Sequence, residues 1–543
     1  MRVQPRHENG IVRKMNVSLR ASTSCAMIQG LLRPDCYPHP AEHIEMLETH
    51  ISWVFLAGAY AYKVKKPVDL GFVDFTSLER RHHFCDEELK LNRRLAPQLY
   101  LDVVEIHGSP DAPRIDGPGP LLDYALRMRR FPQEALASRL LTDGRLTPAL
   151  LDRLALRIAA FHEELPAATA GAPFGTCASV LQDACQNFEE IASLSRASRD
   201  GPLLARLRAW TEREFVVHYS DFRGRRASGM TRECHGDLHL RNIALIDGEL
   251  VPFDCIEFNP GLRWIDVMSD VAFLFMDLLD RGADALAWRF LNTYLAEKGL
   301  YSSLTVLRFY LVYRATVRAK VHFMRARQAH VSHEESVRLM RLYRTYLELA
   351  LRCTSLGRPA IVLMHGLSGS GKSTIALSLA QELGGVRIRS DLERKRLARL
   401  TWTAQTGSPV AGGLYGQDAT QATYSRLTDA ARAVVAAGHT AIVDAAFLMR
   451  AQRRALVELA ARIRVPIVLV DVRAPRQLLR SRILSRAEAG TDPSEASLEV
   501  LEHQIATADP VLASENLPVN RVDGRKPLDP AALTAISSRL CGG

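Results

Sequence analysis

The spacing of apolar residues changes along this chain, and the first third has the short alternating runs that are typical of strands. The strands predicted in this part are 50–56, 60–65, around 101–106 and 121–128. The first two flank Ala57-Gly58-Ala59, and this short separation favours a hairpin. A charged amphipathic pattern over 78–95, followed by Pro97, predicts a helix after the hairpin.

Helical periodicity dominates the middle of the chain, first over 136–213 and again over 264–351. The segment 353–359 contains Gly357 and Pro359 and predicts a short linker. After it, strands alternate with helices, and alternating βαβ segments predict a parallel sheet. The strands predicted in this last part are 361–364, 386–388, 440–443 and 467–470.

Length and charge change this picture in part. A chain of 543 residues is too long for one hydrophobic core, so more than one domain is expected. The net charge of +10 comes from arginines spread along the chain, which favours a solvated surface over a nucleic-acid footprint. Only ten residues are lysine, yet Lys63, Lys65 and Lys66 fall together and Lys372 lies in a glycine-rich segment.

The composition also predicts where the protein works. No apolar run reaches the roughly 20 residues that a membrane span needs, and no secretory signal is recognised. Nine cysteines without a CxxC pair are typical of reduced thiols. We therefore expect a cytoplasmic protein with no membrane association. The first 30 residues predict a flexible arm, in which Met15 is an alternative start.

The segment His235-Gly236-Asp237-Leu238-His239-Leu240-Arg241-Asn242 contains an aspartate and an asparagine with four residues between them. Phosphoryl transfer needs a group that accepts the proton of an attacking hydroxyl and oxygen ligands for a metal ion. The pattern therefore predicts Asp237 as a catalytic base and Asn242 as a metal ligand. A helix-capping aspartate and a turn asparagine in a surface loop are the structural alternative.

A second metal ligand follows from the next residues. Strand-like runs over 243–246 and 249–251 are joined by Asp247-Gly248, a strong hairpin signal. Such a hairpin would return Asp254 to the side of Asn242, where both could bind a metal ion through oxygen.

The segment Gly366-Leu367-Ser368-Gly369-Ser370-Gly371-Lys372-Ser373 lies between an apolar strand and the helix predicted over 375–383. Its glycines let backbone N–H groups close around phosphates, its lysine reaches the outer phosphates, and its serine hydroxyl binds magnesium. The pattern predicts a P-loop. The ATP-binding residues predicted here are Gly366, Ser368, Gly369, Ser370, Gly371, Lys372, Ser373 and Thr374, and Ser373 is also a predicted metal ligand.

The loop 235–242 with Asp254 resembles the active site of aminoglycoside phosphotransferases and related small-molecule kinases. The segments 48–56 and 62–67 resemble the upstream part of bacterial proteins that fuse such a kinase to a P-loop domain. The resemblance covers nearly the whole chain from about residue 30. It implies an α+β protein-kinase-like bilobal domain followed by an α/β P-loop domain with a parallel sheet.

In that family a strand lysine holds the nucleotide phosphates and pairs with a helix glutamate. The resemblance implies Lys63 and Glu88 as ATP-binding residues, with Lys65 and Glu87 as the alternatives. A solvated lysine run on an edge strand is the other interpretation. No GxGxxG loop precedes the hairpin, which departs from protein kinases and disfavours protein substrates. Asp270 is expected either to brace the catalytic loop or to cap a helix.

The residues after the P-loop favour a kinase. The segment 389–395 resembles the substrate loop of gluconate-kinase-like, zeta-toxin-like and polynucleotide-kinase-like enzymes. This resemblance implies Asp391 as a second catalytic base and Arg394 as a substrate-binding residue for an anionic acceptor, unless Asp391 caps the next helix. Asp444, at the end of a predicted strand, is expected to be a metal-side aspartate or a turn residue.

A run of arginines precedes the segment 490–494 and resembles a mobile lid that closes on phosphates. Arg482 and Arg486 lie four residues apart, so they share one helix face and are the predicted ATP-binding pair. A solvated arginine face is the alternative.

The predicted organisation is a flexible arm over 1–30, a kinase-like domain over 31–352 with lobes of about 31–130 and 131–352, a linker over 353–359 and a P-loop domain over 360–543. We expect a tandem ATP-dependent phosphotransferase that uses ATP and Mg²⁺ and acts on hydroxyl groups of small molecules. A regulatory nucleotide-binding protein with one catalytic domain and a nucleic-acid end kinase are the alternatives. The last is disfavoured because no basic patch with interleaved aromatic residues lies near the second site.

Overall fold

The computed structural model of the chain describes residues 23–69, 71, 73–194, 200–328, 331–355, 357–401, 404, 406, 412–489 and 496–541. Residues 1–22 of the predicted arm lie outside this range, and Thr23–Gly30 forms the helix α1 where a loose arm is predicted. Met27 and Ile28 of α1 are buried in the core of the first sheet, so this segment is part of the folded structure.

The N-terminal part forms a six-stranded antiparallel sheet with strand order β1-β2-β3-β6-β4-β5. Its elements are β1 (Ile44–Glu48), β2 (Ser52–Ala57), β3 (Tyr60–Lys65), α2 (Leu78–Asn92), β4 (Tyr100–Ser109), β5 (Ala112–Ile115) and β6 (Leu121–Arg129). The β2–β3 hairpin is confirmed, with Val54 paired to Lys63. Strands β1 and β5 are additional to the predicted ones. The Ser77 side chain caps α2 by accepting the Arg80 N–H.

Alternation along β3 decides which side chains reach the candidate site. Tyr62 and Val64 lie in the core beneath α1, together with Phe55 of the neighbouring strand. Because side chains alternate between the two faces of a sheet, Lys63 and Lys65 lie on the opposite face. Both lysines are buried there.

The middle of the chain is mainly helical, as predicted. Its elements are α3 (Ala137–Thr142), α4 (Pro148–Glu164), α5 (Cys177–Leu194), α6 (Gly201–Val217), α7 (Tyr219–Ala227), β7 (Thr231–Glu233), β8 (Ile243–Ile246), β9 (Glu249–Pro252), α8 (Pro260–Arg263) and β10 (Trp264–Asp266). The β8–β9 hairpin is confirmed and turns through Asp247-Gly248, both with positive φ. Its first pair, Ile243 with Pro252, brings the flanking residues Asn242 and Phe253 together.

The last part contains four long helices and then a five-stranded parallel sheet with order β12-β13-β11-β14-β15. Its elements are α9 (Val267–Asp280), α10 (Asp284–Lys298), α11 (Leu307–Arg325), α12 (His333–Cys353), β11 (Ala360–His365), α13 (Lys372–Leu383), β12 (Gly385–Arg389), α14 (Ser390–Leu397), α15 (Gln417–Ala436), β13 (Thr440–Asp444), α16 (Arg450–Ile463), β14 (Ile467–Arg473), α17 (Arg476–Ala489), α18 (Leu498–Thr507), β15 (Val519–Asp523) and α19 (Pro530–Cys541). The predicted parallel sheet is confirmed. Strand β15 is additional.

The chain divides into two compact units. The first contains the described residues up to Leu154 together with Phe161–Gly175 and Arg225–Asp270, and the second contains Ala155–Ala160, Thr176–Gly224 and the described residues from Val271 onward. Helices α10 to α12 and the parallel sheet therefore share one unit, whereas the domain boundary predicted at 352 stays a prediction. Among the described residues, no helix has the length and apolar character needed to cross a membrane.

Candidate active sites

The first candidate site is a cluster of two lysines and three carboxylates in the first unit, of which all but Asp254 are buried. Lys63 Nζ lies 2.6 Å from Glu88 Oε1 and 2.6 Å from Asp254 Oδ1. Lys65 Nζ lies 2.7 Å from Glu88 Oε2 and 2.5 Å from Glu257 Oε1. Glu88 therefore holds both lysines, one on each oxygen, while only Lys63 contacts Asp254.

The charges in this cluster stabilise one another. Burial alone would lower the pKa of Lys63, but Asp254 and Glu88 raise that pKa well above its ordinary value. Burial would raise the pKa of Glu88, but Lys63 and Lys65 hold it below its ordinary range. Burial keeps the pKa of Glu257 above its ordinary value, although Lys65 opposes this rise. Lys63 is consequently a permanent cation beside Asp254, as phosphate binding requires.

The predicted base and metal ligand of the catalytic loop are in direct contact. Asn242 Nδ2 donates to Asp237 Oδ2 at 2.9 Å and to the Asp237 carbonyl at 3.1 Å. These bonds commit the amide nitrogen of Asn242 and leave its amide oxygen as the candidate metal ligand. The Asp237 side chain is about one-third exposed, at 34%. It can therefore meet a substrate while the loop behind it is fixed.

Asp270 braces this loop, as expected, and does not act as a simple cap. Its two carboxylate oxygens accept the backbone N–H groups of His235, at 3.1 Å, and Gly236, at 2.9 Å. Gly236 has a φ of +84°, and a Cβ there would approach the Leu262 carbonyl to 2.7 Å, so only glycine fits. Asp270 is fully buried.

His235 joins the catalytic loop to the segment before Asp254. Its Nε2 donates to the Phe253 carbonyl at 2.9 Å, and its Nδ1 accepts the Asp237 N–H at 3.3 Å. Both contacts fit one neutral tautomer. Burial lowers the pKa of His235, which keeps the ring neutral. The ring thus ties the candidate base to the strand that leads to Asp254.

The backbone at Asp254 is held by two side chains that the sequence did not predict. Its N–H donates to the Tyr100 hydroxyl at 3.0 Å, and the next N–H, of Cys255, donates to Asn92 Oδ1 at 2.8 Å. Asp254 has a φ of +62° and a side chain that is 43% exposed. An exposed carboxylate oxygen suits a hard cation. Neither Tyr100 nor Asn92 belongs to a recognisable motif.

The second candidate site is the P-loop between β11 and α13. Gly366, Gly369 and Gly371 have φ values of +138°, +81° and +97°, where other residues would be strained. Lys372 Nζ donates to the Leu367 carbonyl at 2.8 Å. Burial lowers the pKa of Lys372 to about 8, against the effects of Asp444 and Asp391. The loop therefore has the backbone shape and the partly buried cation that a phosphate chain needs.

The predicted metal ligands of this site are a hydroxyl and a carboxylate. Ser373 Oγ donates to Asp444 Oδ1 at 3.3 Å, which brings the two predicted ligands together. The other oxygen of Asp444 accepts from Arg387 Nε at 3.0 Å and Nη2 at 2.6 Å. Burial would raise the pKa of Asp444, but Arg387 and Arg389 lower it, so the carboxylate stays charged. The oxygen pair fits a magnesium ion. Arg387 was not predicted.

Asp391 and Arg394, the residues predicted for the acceptor side, both lie on α14. Both line a cavity of about 1660 Å³ that also contains Lys372. The helix-cap alternative for Asp391 is not observed, because Arg389 is the N-cap of α14 and makes no side-chain capping bond. Arg394 is 9% exposed, contacts Tyr415 and donates to the Leu414 carbonyl at 2.7 Å. Its Nε has no hydrogen-bond partner within the described part of the chain.

The arginines of α17 divide into two groups. Arg476 and Arg480 pair with Glu502 of α18. Arg482 and Arg486 line the cavity, and Arg482 Nη1 donates to the Gly369 carbonyl of the P-loop at 3.2 Å. The predicted pair is thus placed at the P-loop. The lid segment 490–494 lies outside the described residues.

Another P-loop contact comes from a residue that was not predicted. Gln504 of α18 accepts the Ser368 N–H at 2.9 Å. Ser368 belongs to the row of N–H groups that a phosphate chain would meet. No sequence signal marks a lone glutamine in this role.

A P-loop on a parallel sheet in one unit and a separate lysine–glutamate–aspartate site in the other define a nucleotide-binding protein of the phosphotransferase class. The model of the family described as an AAA domain matches residues 361–511. The chain is 31% identical over 463 residues to the uncharacterized protein Rv2004c of Mycobacterium tuberculosis, covering 84% of this chain and 90% of the relative. The chain belongs to the family of this mycobacterial protein. The resemblance to proteins that join a kinase-like domain to a P-loop domain is confirmed.

Two solved structures are similar to separate parts of the chain. An unliganded sugar kinase from Janibacter sp. HTCC2649 is 22% identical, covers 34% of this chain and 94% of its own, and has a TM-score of 0.26. The amicoumacin kinase hAmiN, in complex with AMP-PNP, Ca²⁺ and Ami, is 13% identical, covers 59% of this chain and 92% of its own, and has a TM-score of 0.38.

Proposed function

We propose that the chain is a tandem ATP-dependent phosphotransferase, in which each site transfers the γ-phosphoryl group of ATP to a hydroxyl of a small-molecule acceptor. One observation carries the proposal. Two sets of residues with no member in common each combine a lysine cation, two residues whose oxygen atoms could bind a metal ion, and an aspartate suited to act as a base. A pure binding module would need the first two features but no acceptor-side base.

In the first site, Lys63 would hold the nucleotide phosphates, and Glu88 keeps the lysine in place. Asp237 would accept the proton of the acceptor hydroxyl as the phosphoryl group is transferred. Asp254 and the amide oxygen of Asn242 would hold Mg²⁺, which neutralises charge on the phosphates when it is bound. His235 and Asp270 would keep these groups in position.

In the second site, the P-loop amides and Lys372 would hold the phosphates, with Ser373 and Asp444 on the metal. Asp391 would accept the proton of the second acceptor. The buried Arg394 carries an N–H without a partner among the described residues and lines the same cavity. Since an unpaired buried donor is unfavourable, an anionic group on the acceptor would complete its hydrogen bonding.

The alternative is that the second site is a nucleotide switch, and Asp391→Asn separates the two. Asparagine keeps the shape of the side chain but cannot take the proton. In a full-length Asp237→Asn background, transfer of label from ATP to a small-molecule cell extract should fall by about 10²- to 10⁴-fold. Binding of AMP-PNP should change little, because the P-loop does not depend on Asp391.

The control is Asp418→Asn, which changes an exposed aspartate of the neighbouring helix α15 outside the cavity. It should retain the parental transfer rate. If Asp391→Asn also retains that rate, Asp391 is not the base, and the switch becomes the better account of the second site.

A further inference from the structure

Helix α10 lies before the predicted linker, yet it contacts the edge strand of the parallel sheet. The Asn292 side chain donates from Nδ2 to the Gly385 carbonyl at 2.9 Å and accepts the Arg387 N–H at Oδ1, at 2.6 Å. Gly385 and Arg387 are two residues apart on β12, and their outward-facing backbone groups would otherwise be unpaired at the sheet edge. The buried amide of Asn292 therefore takes the place of a neighbouring strand.

Trp288, one turn earlier on α10, packs against the residue that precedes the same strand. A Cβ at Gly384 would lie 3.0 Å from the indole Nε1 of Trp288, which is tighter than an ordinary van der Waals contact, so this approach favours glycine. Gly384 also has a φ of +64° and ends helix α13. The helix that begins at the P-loop therefore ends against α10, and β12 begins there.

Strand β12 carries groups of the second site at both its middle and its end. The Arg387 guanidinium holds Asp444 through two hydrogen bonds. The strand ends at Arg389, two residues before Asp391. A shift of β12 along its axis would therefore move the candidate base and disturb the Arg387 hydrogen bonds that orient Asp444.

A second contact holds helix α14, which carries Asp391. Glu393 of α14 is fully buried and accepts from the Tyr301 hydroxyl at 3.2 Å and from Arg426 Nε at 2.9 Å. Arg426 also donates to the Gly299 carbonyl at 3.0 Å. The end of α10 and the turn after it are thus bonded to the acceptor-side helix.

We propose that Asn292 is a positioning residue of the second site, which sets the register of β12 and so the placement of Asp391 and Asp444. Tyr301 supports the same helix through Glu393. The inference rests on the proposed function of the second site. It implies that a fragment beginning at residue 360 lacks part of its own active-site framework, because both positioning side chains precede it.

The test uses the full-length chain in the Asp237→Asn background, with Mg²⁺, ATP and a small-molecule cell extract as the probe. Turnover of the second site is the part that Lys372→Ala abolishes. Asn292→Leu is similar in size but removes both bonds to β12. It should lower kcat by about 10- to 100-fold, the effect of misplacing reacting groups, while the KM for ATP stays within about twofold.

Two variants serve as controls for this change. Asn292→Asp keeps the acceptor for the Arg387 N–H and should recover part of the lost kcat. Glu297→Gln alters an exposed side chain on the same helix and should match the parent. Tyr301→Phe removes a single hydroxyl and should lower kcat by about three- to tenfold, which keeps the proposal testable if Asn292→Leu does not fold.

The outcomes are distinguishable. A parent without Lys372-dependent turnover contradicts the proposed function of the second site, and the positioning role falls with it. If the parent shows this turnover, and Asn292→Leu and Tyr301→Phe have the same kcat per folded molecule as the parent, the positioning role is overturned but the proposed function is not. If Asn292→Leu and Asn292→Asp lose the same amount of kcat and also the same amount of thermal stability, Asn292 only stabilises the fold.

Discussion

His439 should make the second unit sensitive to mild acid, and replacing it with leucine should remove that sensitivity. The residue immediately precedes β13 and is fully buried. Its ring packs edge-on against Trp288, with centroids 5.7 Å apart. Within the described residues, neither ring nitrogen has a hydrogen-bond partner. Burial, with a smaller effect of Arg308, lowers the pKa of His439 from 6.5 to about 4.

The direction of the effect follows from proton uptake. The unfolded chain binds a proton at His439 near pH 6.5, whereas the folded chain resists protonation until about pH 4. Unfolding therefore takes up a proton between these values, and stability falls as the pH falls through this window. The full difference between the two pKa values corresponds to about 3 kcal/mol of unfolding free energy. About 2 kcal/mol of this stability is already lost at pH 5, and almost none is lost at pH 7.5.

The measurement is thermal unfolding of the full-length chain at pH 7.5 and pH 5.0, comparing wild type with His439→Leu. Leucine has a similar volume and cannot be protonated. The melting temperature of the variant, relative to wild type, should rise by about 3–6 °C between pH 7.5 and pH 5.0. Taking the difference between two proteins cancels the contribution of all other titrating groups.

The matched control is His333→Gln, which changes an exposed histidine at the start of α12. The difference in melting temperature between this control and wild type should be the same at both pH values. If the difference in melting temperature between His439→Leu and wild type is also the same at both pH values, burial does not hold His439 neutral, and the reasoning is refuted.

Two further predictions concern the sites. Calorimetry with AMP-PNP and Mg²⁺ should give about two nucleotides per chain and about one for Lys372→Ala, because each proposed site has its own lysine to hold the phosphates. A stoichiometry of one in the intact protein contradicts the tandem proposal. Glu88→Gln should destabilise the first unit by about 3 kcal/mol and abolish its turnover, since two buried lysines lose a shared carboxylate. Its neighbour Glu87→Gln should have little effect on either measurement, and equal effects of the two variants would mean that Glu88 has no special role.

Local patterns along the chain were sufficient for much of the fold. The β2–β3 and β8–β9 hairpins follow from short turns between alternating runs, and the parallel sheet follows from repeated strand–helix units. The P-loop was readable because its glycines, lysine and serine are contiguous. In the hairpins and the P-loop the interacting residues are close in sequence, and in the parallel sheet each strand and helix is marked by its own local periodicity although the paired strands are far apart in sequence.

The short strands at the sheet edges were not readable in this way. Strands β1, β5 and β15 lack a distinctive alternation, and they form because a neighbouring strand offers unpaired backbone groups. The choice between Lys63 and Lys65 was open for a related reason. Both lie on one face of β3, and only the approach of α2 shows that one Glu88 carboxylate serves both.

By itself the sequence determined two phosphate-site motifs, their order along the chain and the class of chemistry that they suit. Only the tertiary structure decided how each motif is supported. Glu257 reaches Lys65 across 192 positions, and Asn292 reaches Arg387 across 95. A single glutamate or asparagine has no periodic or contiguous pattern to reveal it, because its role arises when folding brings a distant strand within hydrogen-bonding distance.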